Sequence, residues 1–155
     1  QYVNFDENTK TVALAKKLTK GKTEIEAVQE VYEYVIKNIV YDDEKAATVK
    51  SGYLPNVDDT LKTKKGICFD YAALTTAMLR ARDIPCKLQI GYAGTVKHAW
   101  ISVYIRSKGW VDKAVEFSGE SWSRMDPTFD SNSKDKENIQ QYIGDDDNYS
   151  VQFTR

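Results

Sequence analysis

Apolar residues recur at helical spacing in the first half of the chain and at every second position in the second half. Residues 9–20 have this helical spacing and predict a first helix, with Gly21 as its stop. Thr23 and Glu26 form a capping box that opens a second helix. Its apolar positions predict one buried stripe: Ile25, Val28, Tyr32, Val35 and Ile39.

The middle of the chain changes from polar to almost wholly apolar. Residues 41–59 are mostly polar and contain Gly52 and Pro55, which predicts a surface connection with at most a helical turn. From Cys68 to Arg82 the ionised residues are Asp70, Arg80 and Arg82 alone. A helix that is apolar on most sides belongs at the centre of a fold, and Pro85 ends it.

After Pro85 the period changes to two, which predicts strands. The strand-like runs are "CKLQIGY", "HAWISVYI", "GWVDKAVEF" and "SWSRMDPTF", the last two joined through Ser118 and Gly119 as a hairpin. A short helix near 139–143 and a last strand near 149–153 follow. Helices first and antiparallel strands later predict an α+β domain.

Composition limits the possible functions. With 155 residues, 41% hydrophobic and 29% charged, the sequence is typical of a single soluble domain spanning 1–155, which we expect to be a monomer. A net charge of −1 argues against a nucleic-acid partner, and no apolar run approaches the ~20 residues that an integral membrane span needs. Because the chain begins with Gln1, we expect that a preceding segment was removed, which favours a secreted or cell-surface location.

Cys68 is the best candidate nucleophile. It stands at the predicted start of the apolar helix, where the dipole and the first-turn N–H groups stabilise an anion. A thiolate there has a lowered pKa, and the N–H of Cys68 can donate to a developing oxyanion. His98 is the only histidine and therefore the candidate base, and Asp126, before Pro127, is the best orienting carboxylate, with Asp112 as the runner-up.

The motifs that carry these residues resemble those of the transglutaminase-like superfamily. They are "GICFDYAALTTAMLRARDIPCKLQIGY", then "HAW", then "W-x-x-x-DPT", in the order of that superfamily and over about residues 55–130. The resemblance implies a papain-like fold, with the cysteine helix packed on an antiparallel sheet. It also implies Cys68 as nucleophile, His98 as general base and acid, and Asp126 as orienting group.

The resemblance further implies an activity. Such an enzyme acts on a protein or peptide substrate through a thioester, by acyl transfer or by hydrolysis of an amide bond, without a cofactor. In these enzymes an upstream side chain completes the oxyanion hole, for which Tyr53 is the candidate, with Tyr41 behind it. Tyr92 and Trp100 are candidate walls of the cleft.

Other interpretations compete with this one. Cys86 shares a strand face with Leu88 and Ile90, which favours a buried core thiol over a disulfide or a redox partner of Cys68. One histidine and two cysteines have no metal-ligand spacing, and the acidic run 145–147 lacks the pattern of a calcium loop, so no metal is expected. The alternative function is a catalytically silent binding or structural module that retains the fold.

Overall fold

The computed structural model describes residues 3, 6, 9–93, 96–118, 124–125 and 149–154. Its helices are α1 (Lys10–Leu18), α2 (Glu24–Asn38), α3 (Asp43–Thr48), α4 (Val57–Thr63) and α5 (Cys68–Arg80). Its strands are β1 (Val40–Tyr41), β2 (Lys65–Gly66), β3 (Cys86–Ala93), β4 (Val96–Ile105), β5 (Gly109–Ser118), β6 (Arg124–Met125) and β7 (Tyr149–Thr154). In the described parts of the chain, no helix is both long and apolar enough to span a bilayer.

Helix α5 is the centre of the structure, as its composition predicts. Every residue from Cys68 to Leu79 is buried. The helix contacts α1, α2 and α4 and also strands β3, β4 and β5. It therefore joins the helical half to the sheet, and its first residue is held by contacts along the whole helix.

The sheet is antiparallel, with strand order β6-β5-β4-β3-β7. In the middle of β4 both faces are buried, since Ile101 and Val103 on one face and Trp100 and Ser102 on the other are each at most 1% exposed. β6 pairs with β5 as a hairpin partner, while the predicted turn at Gly119 lies outside the described residues. The predicted α+β class and the papain-like arrangement of a helix on an antiparallel sheet are confirmed.

The starts of the first two helices follow from local sequence. Thr9 caps α1 by accepting from the N–H of Val12, and Thr23 and Glu26 form the predicted capping box of α2. A tertiary contact supplements the first cap: Asp58 of α4 accepts from both backbone N–H groups of Lys10 and Thr11 and from the Thr11 hydroxyl.

The prediction for residues 41–59 was incomplete. This segment contains α3 and the start of α4, and Val57 is buried. The sequence predicts that Pro85 ends α5, whereas the helix already ends at Arg80: Ala81 is its C-cap and Asp83 adopts a left-handed φ of 57°. The predicted helix near 139–143 lies outside the described residues.

Candidate active site

Cys68 is the first residue of α5, in agreement with the sequence prediction. The N-cap is Ile67, whose side chain has no hydrogen-bond acceptor. The side chain of Asp70, three residues further along the helix, supplies the cap instead. Asp70 Oδ2 accepts the N–H of Ile67 at 2.8 Å. Cys68 is 7% exposed, so the thiol lies near the surface end of a buried helix.

The Asp70 carboxylate is the centre of a buried polar cluster. Its side chain is fully buried, and its Oδ2 also accepts from Lys45 Nζ at 2.7 Å. Its Oδ1 accepts from the Tyr53 hydroxyl at 2.5 Å, and Lys45 Nζ lies 2.6 Å from that same hydroxyl oxygen. We call Lys45, Tyr53 and Asp70 the Asp70 cluster. It connects α3 and the α3–α4 connection to the first turn of α5.

Sequence reasoning missed Lys45, which stands in a polar run without periodicity. Asp70 did carry a signal: it is the one carboxylate in the predicted apolar helix. A carboxylate buried in such a helix must find donors in other elements. Its spacing from the predicted helix start also fits a reach-back cap.

The backbone of Tyr41 is paired with the segment just before Cys68. β1 and β2 form a two-residue parallel pair in which Tyr41 is opposite Gly66, two residues before Cys68. Two backbone hydrogen bonds fix this pair, from Val40 N to Lys64 O at 2.8 Å and from Asp42 N to Gly66 O at 3.0 Å.

The pKa of the Tyr41 hydroxyl also depends on Cys68 and on two nearby carboxylates. Burial raises the pKa of the Tyr41 hydroxyl, and the negative charges of Cys68, Asp43 and Asp70 raise it further. The hydroxyl therefore keeps its proton at neutral pH and can act as a hydrogen-bond donor.

Tyr53, the first candidate for the oxyanion hole, has its hydroxyl in the Asp70 cluster. Burial, followed by the hydrogen bond to Asp70, raises its pKa despite the opposing effect of Lys45. Its ring packs edge-on against Phe69 at a centroid distance of 6.3 Å. These contacts favour a supporting position for Tyr53 and leave Tyr41 as the better candidate donor.

The other two members of the predicted triad are described only in part. The backbone of His98 lies in β4, opposite Gly91 of β3 and Ser118 of β5, and its side chain is outside the described set. Asp126 follows β6 and also lies outside the described residues. The runner-up, Asp112, is exposed in β5, six residues from the position opposite His98. At ~3.3 Å per residue that separation is about 20 Å along the strand, which disfavours Asp112.

Cys86 is as buried as Cys68, but it lies at the start of a strand rather than of a helix. It is 6% exposed, its Sγ donates to the carbonyl of Thr76 at 3.7 Å, and burial raises its pKa to about 11 although Arg80 acts in the opposite direction. The two thiols, both among the described residues, are not joined in a disulfide. Cys86 is thus a protonated core thiol at neutral pH.

The candidate cleft walls differ in burial. Trp100 is 1% exposed, which favours a role in the core. Tyr92 is half-buried in β3, opposite Lys97 of β4. Over the described ranges, no group of three or more His, Cys, Asp or Glu residues could hold a metal ion.

Curated relatives share parts of this chain. It is 38% identical over 92 residues to a UPF0252 protein of Methanocaldococcus jannaschii and 28% identical over 138 residues to an uncharacterized protein of Mycobacterium leprae. These matches cover 56% and 88% of the chain. They cover 26% and 44% of the relatives, so the chain spans less than half the length of either.

Solved structures share its fold. A "Putative Cysteine Protease" from Cytophaga hutchinsonii matches 94% of the chain and 42% of its own length, with a TM-score of 0.59 and 22% identity. A "putative protease" from Parabacteroides distasonis matches 77% of the chain and 28% of its own length, with a TM-score of 0.54 and 19% identity.

The sequence itself matches a known family over most of its length. The sequence model of the transglutaminase-like superfamily matches residues 12–127, which include Cys68, His98 and Asp126. This range confirms the resemblance seen in the motifs. The chain belongs to the transglutaminase-like superfamily.

Proposed function

We propose that this protein is a cysteine-dependent enzyme that cleaves amide bonds through a thioester on Cys68. One observation carries the proposal: Cys68 is the first residue of a buried helix, and Tyr41 is paired through the backbone with Gly66, two residues before that cysteine. A thiol at a helix N-terminus with a neutral donor nearby suits acyl transfer, because the helix start stabilises the thiolate and the donor stabilises the developing oxyanion.

In the first half-reaction the Cys68 thiolate attacks the carbonyl carbon of a glutamine side chain or a peptide bond. The carbonyl oxygen becomes an oxyanion that accepts hydrogen bonds from the Tyr41 hydroxyl and the N–H of Cys68. The C–N bond then breaks, and His98 gives its proton to the leaving amine. The product is a thioester on Cys68.

In the second half-reaction a nucleophile attacks the thioester carbonyl while His98 accepts its proton. Water gives hydrolysis, and an amine gives transfer; in both cases the thiolate of Cys68 is released with its electron pair. The acyl acceptor depends on how far water is excluded from the thioester.

The chain topology supports the assignment of His98. Cys86, at the start of β3, contacts Thr76, eight residues after Cys68 in α5. The start of β3 thus lies beside the last turns of α5, and we propose that β3 runs back along the helix toward Cys68. The helix covers about 12 Å from Thr76 to Cys68, and β3 covers about 17 Å from Cys86 to Gly91, the partner of His98. The two lengths are similar, which supports the proposal that the Cys68 sulfur and the His98 imidazole meet at the end of β3 that contains Gly91.

Asp126 remains our proposed orienting residue. It follows β6 directly, and the position of Asp112 disfavours the alternative. The fold shared with the "Putative Cysteine Protease" of Cytophaga hutchinsonii supports peptide hydrolysis as one outcome. The superfamily name supports transfer to an amine as the other.

Trapping the acyl-enzyme tests the proposal. The protein is incubated with glutamine peptides and with peptides that lack glutamine, quenched in acid, and measured by intact mass and peptide mapping. We expect an acyl adduct on Cys68 in the wild type and in Cys86→Ala, and none in Cys68→Ala. His98→Ala should reduce adduct formation by at least about 100-fold.

The results separate the two functions considered from sequence. A wild-type thiol that forms no adduct with any peptide, and reacts with iodoacetamide no faster at neutral pH than a free cysteine peptide, would contradict the enzyme and favour the silent module. An adduct on Cys86 instead of Cys68 would also contradict it.

A further inference from the structure

The carboxylate of Asp70, two residues after the proposed nucleophile Cys68, is fully buried. Asp70 accepts hydrogen bonds from Ile67 N, Lys45 Nζ and the Tyr53 hydroxyl. The helix start uses the first of these bonds, because Ile67 itself supplies no side-chain acceptor. The carboxylate therefore has a structural task that an apolar residue could not perform.

Asp70 and Cys68 both lie in the first turn of α5, so we expect the carboxylate to oppose ionisation of the thiol. A negative charge near a thiol disfavours the thiolate, and burial strengthens the effect because water screens it less. The reach of this charge is visible at Tyr41, where Cys68 and Asp70 both act to raise the hydroxyl pKa. Asp70 is thus needed to start α5, while its charge opposes the ionisation of Cys68 that the proposed reaction needs.

Lys45 resolves the conflict. Its ammonium lies 2.7 Å from Asp70 Oδ2, and it is the one cation among the described partners of that carboxylate. Its hydrogen bonds to Asp70 and Tyr53 outweigh the effect of burial and keep its pKa raised, so it is charged at neutral pH. The pair it forms with Asp70 is neutral overall.

We propose that Lys45 is a positioning residue for the proposed reaction, which neutralises the buried Asp70 carboxylate and so allows the Cys68 sulfur to ionise. The inference rests on the proposed role of Cys68 and adds a residue that touches neither sulfur nor substrate. Lys45 acts through Asp70, which the helix start requires.

The other titratable groups around the pair do not provide this balance. Tyr41 from β1 and Tyr71 from α5 have raised pKa values and stay neutral, and so does Tyr53. Asp43 of α3 adds a further negative charge near Tyr41. The His98 side chain is outside the described set, and its contribution is common to all variants compared below.

The test measures the ionisation of Cys68 directly. The rate of iodoacetamide alkylation at Cys68 is followed by peptide mass spectrometry from pH 5 to pH 10 in the wild type, Lys45→Met, Asp70→Asn and the double variant. Lys45→Met leaves the Asp70 charge unbalanced, while Ile67 and Tyr53 still donate to it. We expect the midpoint of the profile to rise by about one pH unit.

The double variant provides the rescue. In the double variant neither the Asp70 charge nor the Lys45 charge acts on the Cys68 sulfur. We therefore expect the midpoint of its alkylation profile to lie within about 0.3 pH units of the wild-type midpoint. Lys22→Met is the matched control, because Lys22 is also a half-buried lysine in an ion pair, with Glu30 at 2.5 Å. It lies at the opposite end of α2 from Tyr41, and its removal should leave the midpoint unchanged.

A purely structural role for Lys45 would lower stability without moving the midpoint, and that result would overturn the inference. So would a double variant whose midpoint stays as high as that of Lys45→Met. If Lys45→Met does not fold by circular dichroism, Lys45→Gln removes the same charge and must give the same rise. Because alkylation needs no turnover, a shift in a protein that forms no acyl adduct would uphold the inference while the proposed function fails.

Discussion

Gly66 and Asp70 lie so close together that a Cβ on Gly66 would be 2.7 Å from the Cβ of Asp70. Real side chains essentially never approach that closely, and the obstructing atom is attached to the backbone of a buried helix. The glycine of "GIC" is therefore required by packing against the carboxylate that starts α5. The same strand position pairs with Tyr41, so the contact affects both sides of the candidate site.

Gly66→Ala should damage the site and the fold together. The added methyl must push apart β2 and the first turn of α5, and overpacking of this kind costs about 1–3 kcal/mol of unfolding free energy. We expect that loss in urea denaturation, together with a slower alkylation of Cys68.

Gly21→Ala is the control for this substitution. Gly21 has a positive φ of 75° and no atom within 4 Å of its added Cβ, so only backbone strain of about 1–2 kcal/mol applies. Its alkylation rate should match the wild type. Equal behaviour of Gly66→Ala and wild type in both measurements would refute the packing argument.

Tyr41→Phe should slow the proposed reaction without disturbing the fold. Removal of one oxyanion donor costs about 10²–10³ in kcat in a comparable enzyme. We expect acyl-enzyme formation to slow by a factor in that range, with little change in the affinity for the peptide.

Tyr34→Phe is the matched control. Its hydroxyl also belongs to a half-buried tyrosine and accepts from Lys64 Nζ at 2.8 Å. Full activity in Tyr41→Phe would exclude Tyr41 as the donor and return attention to Tyr53.

Stability should fall steeply at alkaline pH. Burial raises the pKa of Cys86 to about 11 and raises the pKa values of Tyr41, Tyr53 and Tyr71 above 10.0. Between the unfolded and folded pKa values the unfolded chain has lost the proton and the native protein still holds it. Stability is therefore complete below about pH 9 and decreases as the pH rises, by up to about 1.4 kcal/mol per pH unit for each group.

Urea midpoints measured from pH 8 to pH 11 test this sign. Cys86→Ala removes one contributor, so its stability should fall less steeply than that of the wild type between pH 9 and pH 11. A slope equal to that of the wild type would contradict the assignment of Cys86 as a protonated core thiol.

Asp58→Asn should weaken the start of α1. Burial acts to raise the pKa of Asp58, but hydrogen bonds from Thr11 and Lys10 outweigh it and hold the pKa below its usual range. The stabilisation is thus present above about pH 4 and is lost as the pH falls through the lowered pKa. At neutral pH we expect the variant to lose about 1–2 kcal/mol of unfolding free energy.

Asp59→Asn is the control, one residue further along α4 and exposed. Its unfolding free energy should change by less than about 0.5 kcal/mol. The difference between Asp58→Asn and the wild type should also shrink as the pH falls below 4, and a difference that is constant with pH would contradict the role of the charge.

The parts of the fold that could be predicted are those determined by neighbouring residues. The capping box at Thr23, the start of α5 at Cys68 and the change to period two after Pro85 are all local signals, and each is confirmed. The α+β class follows from their order.

The parts that could not be predicted depend on residues far apart in sequence. The pairing of Tyr41 with Gly66 joins two-residue strands, which are too short for any period to reveal. Lys45 comes from a polar run that gives no sign of its partner in α5. Tyr41 and Tyr53 both precede Cys68, and the sequence alone does not reveal that Tyr41 pairs with Gly66 while the Tyr53 hydroxyl bonds to Asp70.

The short parallel pair has a consequence for how such a protein can diversify. Because Tyr41 is fixed to Gly66 by main-chain atoms, side chains in the excursion between them are free to change without disturbing that pairing. Residues 46–52 form the exposed crest of the excursion, between the anchoring Lys45 and Tyr53. Substitutions or insertions at this crest would leave Lys45, Tyr53 and the Tyr41–Gly66 pairing in place, so the exposed surface of this segment could vary while the helix start that holds Cys68 stays constant.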